Sequence, residues 1–87
     1  SKKDVYRHSF AMEFPREVSV VAAKSAIQEG FLNCHWASVV NEVEIEVNED
    51  GSYEVHVYAL DPGHAYDIEA VIRSGVEERI KEGMQFR

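Results

Sequence analysis

Between Ala37 and Leu60 the side chains alternate in character, and the alternation folds back on itself around Asp50-Gly51. No other feature constrains this chain as much. Val43, Ile45 and Val47 alternate with Glu42, Glu44 and Glu46, and after the turn Tyr53, Val55 and Val57 alternate with Glu54, His56 and Tyr58. A period of two over this length belongs to an antiparallel ribbon with one dry and one wet face. Keeping the faces separate fixes the loop. A three-residue loop of Glu49-Asp50-Gly51, with Gly51 left-handed, sets Val47 opposite Tyr53, Ile45 opposite Val55 and Val43 opposite Val57. A two-residue loop would set Val47 against Glu54 and mix the faces. On the wet side the same register places Glu44 opposite His56, Glu46 opposite Glu54 and Glu42 opposite Tyr58.

The flanking segments supply the rest of a small domain. Val5 to Phe14 alternates as well, with Tyr6, His8, Phe10, Met12 and Phe14 on the inward side, and predicts the first strand. Pro15 ends it, and a first helix is expected over Arg16 to Glu29, turning Val18, Ala22, Ala23, Ala26 and Ile27 inward, with Gly30 as its stop. Phe31 to Trp36 then reads as a connection to the second strand, which runs to about Asn48. Asp61-Pro62-Gly63 breaks the third strand. A second helix is expected from about His64 to Glu82, where Ala65, Ile68, Ile72, Val76 and Ile80 recur at spacings of three and four. Gly75, beside that stripe, suits close approach to the sheet. Gly83 closes the helix, and Met84 to Arg87 add a short fourth strand. The order β-α-β-β-α, with that extra strand, resembles the ferredoxin-like, split β-α-β two-layer sandwich: an antiparallel sheet with both helices on one face, in a single α+β domain over residues 1–87. The resemblance is to an architecture that hosts many unrelated functions.

Composition then narrows the partners. The net charge is −7 with the histidines neutral, which repels phosphate backbones and anionic lipid, so no direct nucleic-acid or membrane binding is expected. No apolar run approaches the ~18 residues of a membrane span, and Ser1-Lys2-Lys3-Asp4 leads into the first strand without a signal-like apolar region. The single cysteine, Cys34, excludes an internal disulfide and suits a reducing, cytoplasmic setting.

Three constellations carry candidate chemistry. The wet face of the ribbon presents Glu42, Glu44, Glu46 and Glu54 beside His56, with Tyr58, Leu60, Val40 and Trp36 clustered toward one end. Carboxylates on alternate residues stand about 6.6–6.8 Å apart, a ladder that would steer a basic protein surface while the apolar groups anchor it. The bland alternative is a solvated face that blunts an edge strand. Second, Cys34, His35 and His64, with His8, Asp61 and Asp67, gather at one end of the layout and include zinc-type donors, but no metal-binding spacing joins them. Third, a His56–Glu44 couple could tune a general base, yet it stands on an open face where a surface pair is the simpler reading. We therefore expect a non-enzymatic interaction or regulatory protein without a cofactor. It would bind a basic partner or its own copy through the wet face as a homo-oligomer, one version being an inhibitor that mimics nucleic acid. A small metal-binding protein or enzyme using the His/Cys end, and a ligand-sensing oligomeric domain, are the alternatives.

Overall fold

The ribbon forms with the expected register in its turn-proximal half; β2 begins only at Glu44, so the expected Val43–Val57 and Glu42–Tyr58 pairs are not part of the ladder. The computed structural model describes residues 5–34 and 42–83, which build β1 (Tyr6–Met12), α1 (Val20–Leu32), β2 (Glu44–Val47), β3 (Tyr53–Ala59) and α2 (Pro62–Lys81). In the β2–β3 pair Glu44 faces His56, Ile45 faces Val55, Glu46 faces Glu54 and Val47 faces Tyr53. Asn48 N–H donates to the Ser52 carbonyl (2.8 Å) and Gly51 N–H to the Asn48 carbonyl (3.0 Å). Gly51 takes φ +90°, the left-handed conformation that only glycine adopts without a Cβ clash. The Asp50 carboxylate accepts the Ser52 hydroxyl (2.6 Å) and the Ser52 N–H (2.9 Å). The hydroxyl first, then the amide, hold its carboxyl below the usual range.

The sheet has the order β1-β3-β2 with both pairings antiparallel, so β1 and β2 run parallel on either side of β3. With two helices beside this sheet the chain has an α+β layout. Phe10, Met12, Tyr53, Val55, Val57 and Ala59 from one sheet face join Ala23, Ala26, Ile27 and Phe31 of α1 and Ala65, Ile68, Ile72 and Val76 of α2 in one buried cluster. Each fully buried valine or isoleucine contributes about 1.5–3 kcal/mol of hydrophobic stabilisation. The residues proposed as a fourth strand, 84–87, lie outside the described residues.

The helix boundaries correct the sequence-based expectation. α1 begins at Val20, not Arg16, because Ser19 is the cap: its hydroxyl accepts Ala22 N–H at 3.1 Å. Pro15 starts a turn instead, its carbonyl accepting Val18 N–H at 3.0 Å. Val18, just before the cap, and Ala23 are both buried in the core at the spacing of a hydrophobic staple. Nor does Gly30 stop the helix; α1 continues through Phe31 and Leu32 to a cap at Asn33. Asp61-Pro62-Gly63 is a cap and first turn, with His64 N–H donated to Asp61 Oδ1 at 2.9 Å and Pro62 as the opening residue of α2.

Gly30 is kept free of a side chain by its neighbour. A Cβ there would stand 3.1 Å from Ile72 Cα and 3.3 Å from the Ile72 carbonyl oxygen, backbone atoms of α2 that cannot swing aside. Gly75, expected to admit the sheet, instead meets α1: its Cβ would lie 3.6 Å from Gly30 Cα, an ordinary contact. Gly30→Ala should therefore destabilise the fold by about 1–2 kcal/mol despite alanine's better helix propensity. Gly75→Ala should be neutral or stabilising by up to about 1 kcal/mol. Urea unfolding of the two variants reads the difference, and equal effects would show that the helices are not in this register.

Candidate functional site

On the face of the sheet turned away from the core, the pairings set out three rows. Arg7 stands beside Tyr58, Ser9 beside His56 and Glu44, and Ala11 beside Glu54 and Glu46. Glu42, Glu44 and Glu46 are exposed, while Glu54 and Tyr58 are half-buried. Leu60, just past β3, is exposed too. Trp36 and Val40, expected to complete an apolar anchor here, lie outside the described residues, as does His35. The Tyr58 hydroxyl donates to Glu44 Oε1 at 2.8 Å, a link along the edge of the row that holds His56.

His56 corrects the expectation of an open surface pair. Its side of the sheet is the wet one, as parity requires, yet the residue is only 5% exposed. Position explains this: β3 is the central strand, so His56 is flanked by Ser9 on one side and Glu44 on the other. Its polar partner is not Glu44. Ser9 Oγ lies 2.6 Å from Nδ1, and Glu46 Oε1 lies 3.7 Å from Nε2, too far for a hydrogen bond. Nε2 is buried without a partner. With a carboxylate facing Nε2, the proton of the neutral ring belongs there, and the Ser9 hydroxyl donates to Nδ1. Ser9 had given no signal in the sequence beyond its outward parity.

The His/Cys end resolves into separate structural roles. Cys34 is buried, its thiol directed to the Gly30 carbonyl at 3.7 Å, and burial pushes its pKa up. The His64 ring pairs with the cap residue Asp61 at 3.2 Å. Among the described residues no three His, Cys, Asp or Glu side chains converge as a metal would require, and none of their helices is long and apolar enough to cross a membrane.

His8 faces the core side but is only half-buried, its Nε2–H donating to Glu69 Oε1 at 2.5 Å. Arg73 donates from Nε to the other oxygen of Glu69 (2.7 Å) and from Nη2 to the Ala11 carbonyl (3.0 Å), with its guanidinium 5.1 Å from the Phe10 ring centre. Tyr66 packs against the His8 ring at 4.6 Å. This network ties α2 to β1 across 61 positions, a separation no local pattern could reveal. For Glu69, burial alone would push the carboxyl up, but the hydrogen bonds from His8 and Arg73, with their charges, outweigh it and hold it low.

Comparison with protein-family models, with curated proteins and with solved structures gives no match.

Ser9→Ala would remove the hydrogen bond to His56 Nδ1 beside an Nε2 that is already buried without one, and should cost about 1–2 kcal/mol in urea unfolding. A change within error would mean the imidazole is solvated. Because the folded pKa of Glu69 lies below its unfolded value, its contribution to stability is complete above the unfolded value and is lost as pH falls through the folded one. Wild type should thus lose more stability than Glu69→Gln on acidification below about pH 5, and parallel profiles would assign the acid sensitivity elsewhere.

Proposed function

We propose that this chain is a non-enzymatic interaction module that docks a basic protein partner on the outer face of the β2–β3 hairpin. One observation carries the reading: among the described residues Glu44, Glu46 and Glu54 share the outer face of the ribbon, with Glu42 exposed just before β2, and none of the four pairs with a Lys or Arg. Glu69 and Glu29, by contrast, pair with Arg73 and Arg79. Glu46 directly opposite Glu54 costs stability, by about 0.2–1 kcal/mol for a like-charge pair, and a cation arriving from a partner relieves that cost. Tyr58 and Leu60 supply the apolar part of the contact, to which the sequence pattern adds Trp36 and Val40. A version of this role is an inhibitor that presents carboxylates where a nucleic-acid-binding protein expects phosphates.

Self-association through the same face would press one carboxylate row against its copy, so a basic partner is the better occupant. The frame we assign is ferredoxin-like: the order β1-β3-β2, with β1 and β2 parallel on either side of β3, is that of three adjacent strands of such a sheet. The free thiol of Cys34 suits a reducing, cytoplasmic setting.

The test is a pull-down from native lysate read by mass spectrometry, wild type against a triple variant with Glu42→Lys, Glu44→Lys and Glu46→Lys. Wild type should enrich basic proteins in a salt-sensitive manner, and the variant should lose that enrichment by about tenfold or more. Equal enrichment by both would remove the carboxylates from the function.

A further inference from the structure

We infer that the partner of this face is an extended segment of alternating basic and apolar residues, added as a strand to the open edge of β2. The inference deepens the reading above and rests on it.

Among the described residues, β2 and β1 are the two edges of the sheet, and they differ. Along β1, α2 leans over the strand: Arg73 binds the Ala11 carbonyl, Glu69 binds His8 and Tyr66 packs on the His8 ring. Among the described residues no such cover lies over β2. Its backbone groups can be sorted by the turn. Asn48 N–H bonds the Ser52 carbonyl, which makes Asn48–Ser52 a hydrogen-bonded pair, and in an antiparallel ladder such pairs recur at every second residue. Glu46–Glu54 and Glu44–His56 are then the bonded pairs, and the N–H and C=O groups of Ile45 and Val47 point away from β3. An incoming strand would bond there.

The side chains on either side of that edge state what the strand must carry. Glu44 and Glu46, on the outer side, are exposed and without a Lys or Arg partner, so cross-strand neighbours of positive charge are favoured. On the inner side Val47 is 45% exposed and Leu32 of α1 is 72% exposed. Between α1 and the start of β2 runs a groove of about 290 Å³ lined by Gln28, Phe31, Leu32, Glu42 and Val43. Apolar side chains of an added strand would turn into this groove while its basic side chains turn out beside Glu44 and Glu46. The period of two makes both contacts at once. A second copy of β2 fails this requirement, because its own glutamates would stand beside Glu44 and Glu46.

Calorimetric titration and amide hydrogen exchange with three synthetic peptides test the inference: one alternating lysine and valine, one of the same composition in two blocks, and one alternating glutamate and valine. The alternating lysine peptide should bind, slow the exchange of the Ile45 and Val47 amides, and weaken as salt rises; the other two should bind at least about tenfold less well. Val47→Pro deletes an N–H that serves no bond to β3 and should weaken binding by about tenfold. N-methylation of the peptide on its bonding edge should do the same without touching the fold. Equal binding of the blocked and alternating lysine peptides, or unchanged exchange at Ile45 and Val47 in the complex, would overturn strand addition while leaving the acidic face as a docking surface. Binding of neither lysine peptide would overturn both.

Discussion

The central place of β3, buried on its inner face and closed over His56 on its outer one, is the constraint from which the rest of this structure follows. A strand with a neighbour on each side, packed on helices below, has no solvated row of its own at its centre. Val55 and Val57 meet the helices, while His56 between them is enclosed by its cross-strand neighbours on the outer face. The inner side is stabilised by hydrophobic burial. The outer side holds a polar ring with one nitrogen satisfied by Ser9 and the other facing a carboxylate beyond hydrogen-bond reach. An incompletely satisfied imidazole is tolerated because losing it would open the centre of the sheet, and burying it in this way ties β1 to β3 through a side-chain bond as well as through the ladder.

Around that strand the helices are fixed by two different kinds of contact. α1 and α2 approach each other where Gly30 has no side chain and the Ile72 backbone fills the space, a steric fit that any larger residue disturbs. α2 and β1 are joined by polar contacts, with Arg73 and Glu69 spanning Ala11 and His8. Packing sets the distance between the layers, and the polar network fixes their alignment. Neither could do both, since apolar surfaces slide and exposed ion pairs alone contribute little.

What the sequence makes legible is whatever is periodic. The hairpin register, the left-handed Gly51 and the apolar stripe of α2 are repeats or local turn rules, and residues two to four apart suffice to read them. The cap of α1 is local too, but Pro15 offers a competing start, and only the hydrogen bond from Ala22 to Ser19 decides between them. Gly30 follows a rule that is sound for helix ends and misleading inside a helix, because closeness to Ile72 is a tertiary fact. His56 shows the limit of parity. Alternation tells which side of the sheet a residue takes, but its exposure depends on whether the strand is central or at an edge, and that is a property of the strand order. The Ser9–His56 and His8–Glu69 contacts join positions 47 and 61 apart and carry no local trace.

The same difference between centre and edge bears on function. Carboxylates on an exposed edge strand disfavour edge-to-edge pairing of identical chains, because two copies of β2 would stack like charges. A charge that discourages self-pairing does not close the edge, however. Among the described residues the backbone groups of Ile45 and Val47 face no further strand, and the groove beside α1 offers Phe31, Leu32 and Val43 between Gln28 and Glu42. Protection and selectivity therefore come from one feature. The row that rejects a copy of itself admits a strand of opposite charge, and it demands apolar residues at alternate positions because the helix-side groove lies one residue out of phase. An edge protected by proline, or covered as β1 is covered by Arg73 and Tyr66, would reject every strand alike. Glutamate at positions 44 and 46 rejects by sign, and that is the selectivity on which the proposed strand addition at the edge of β2 rests.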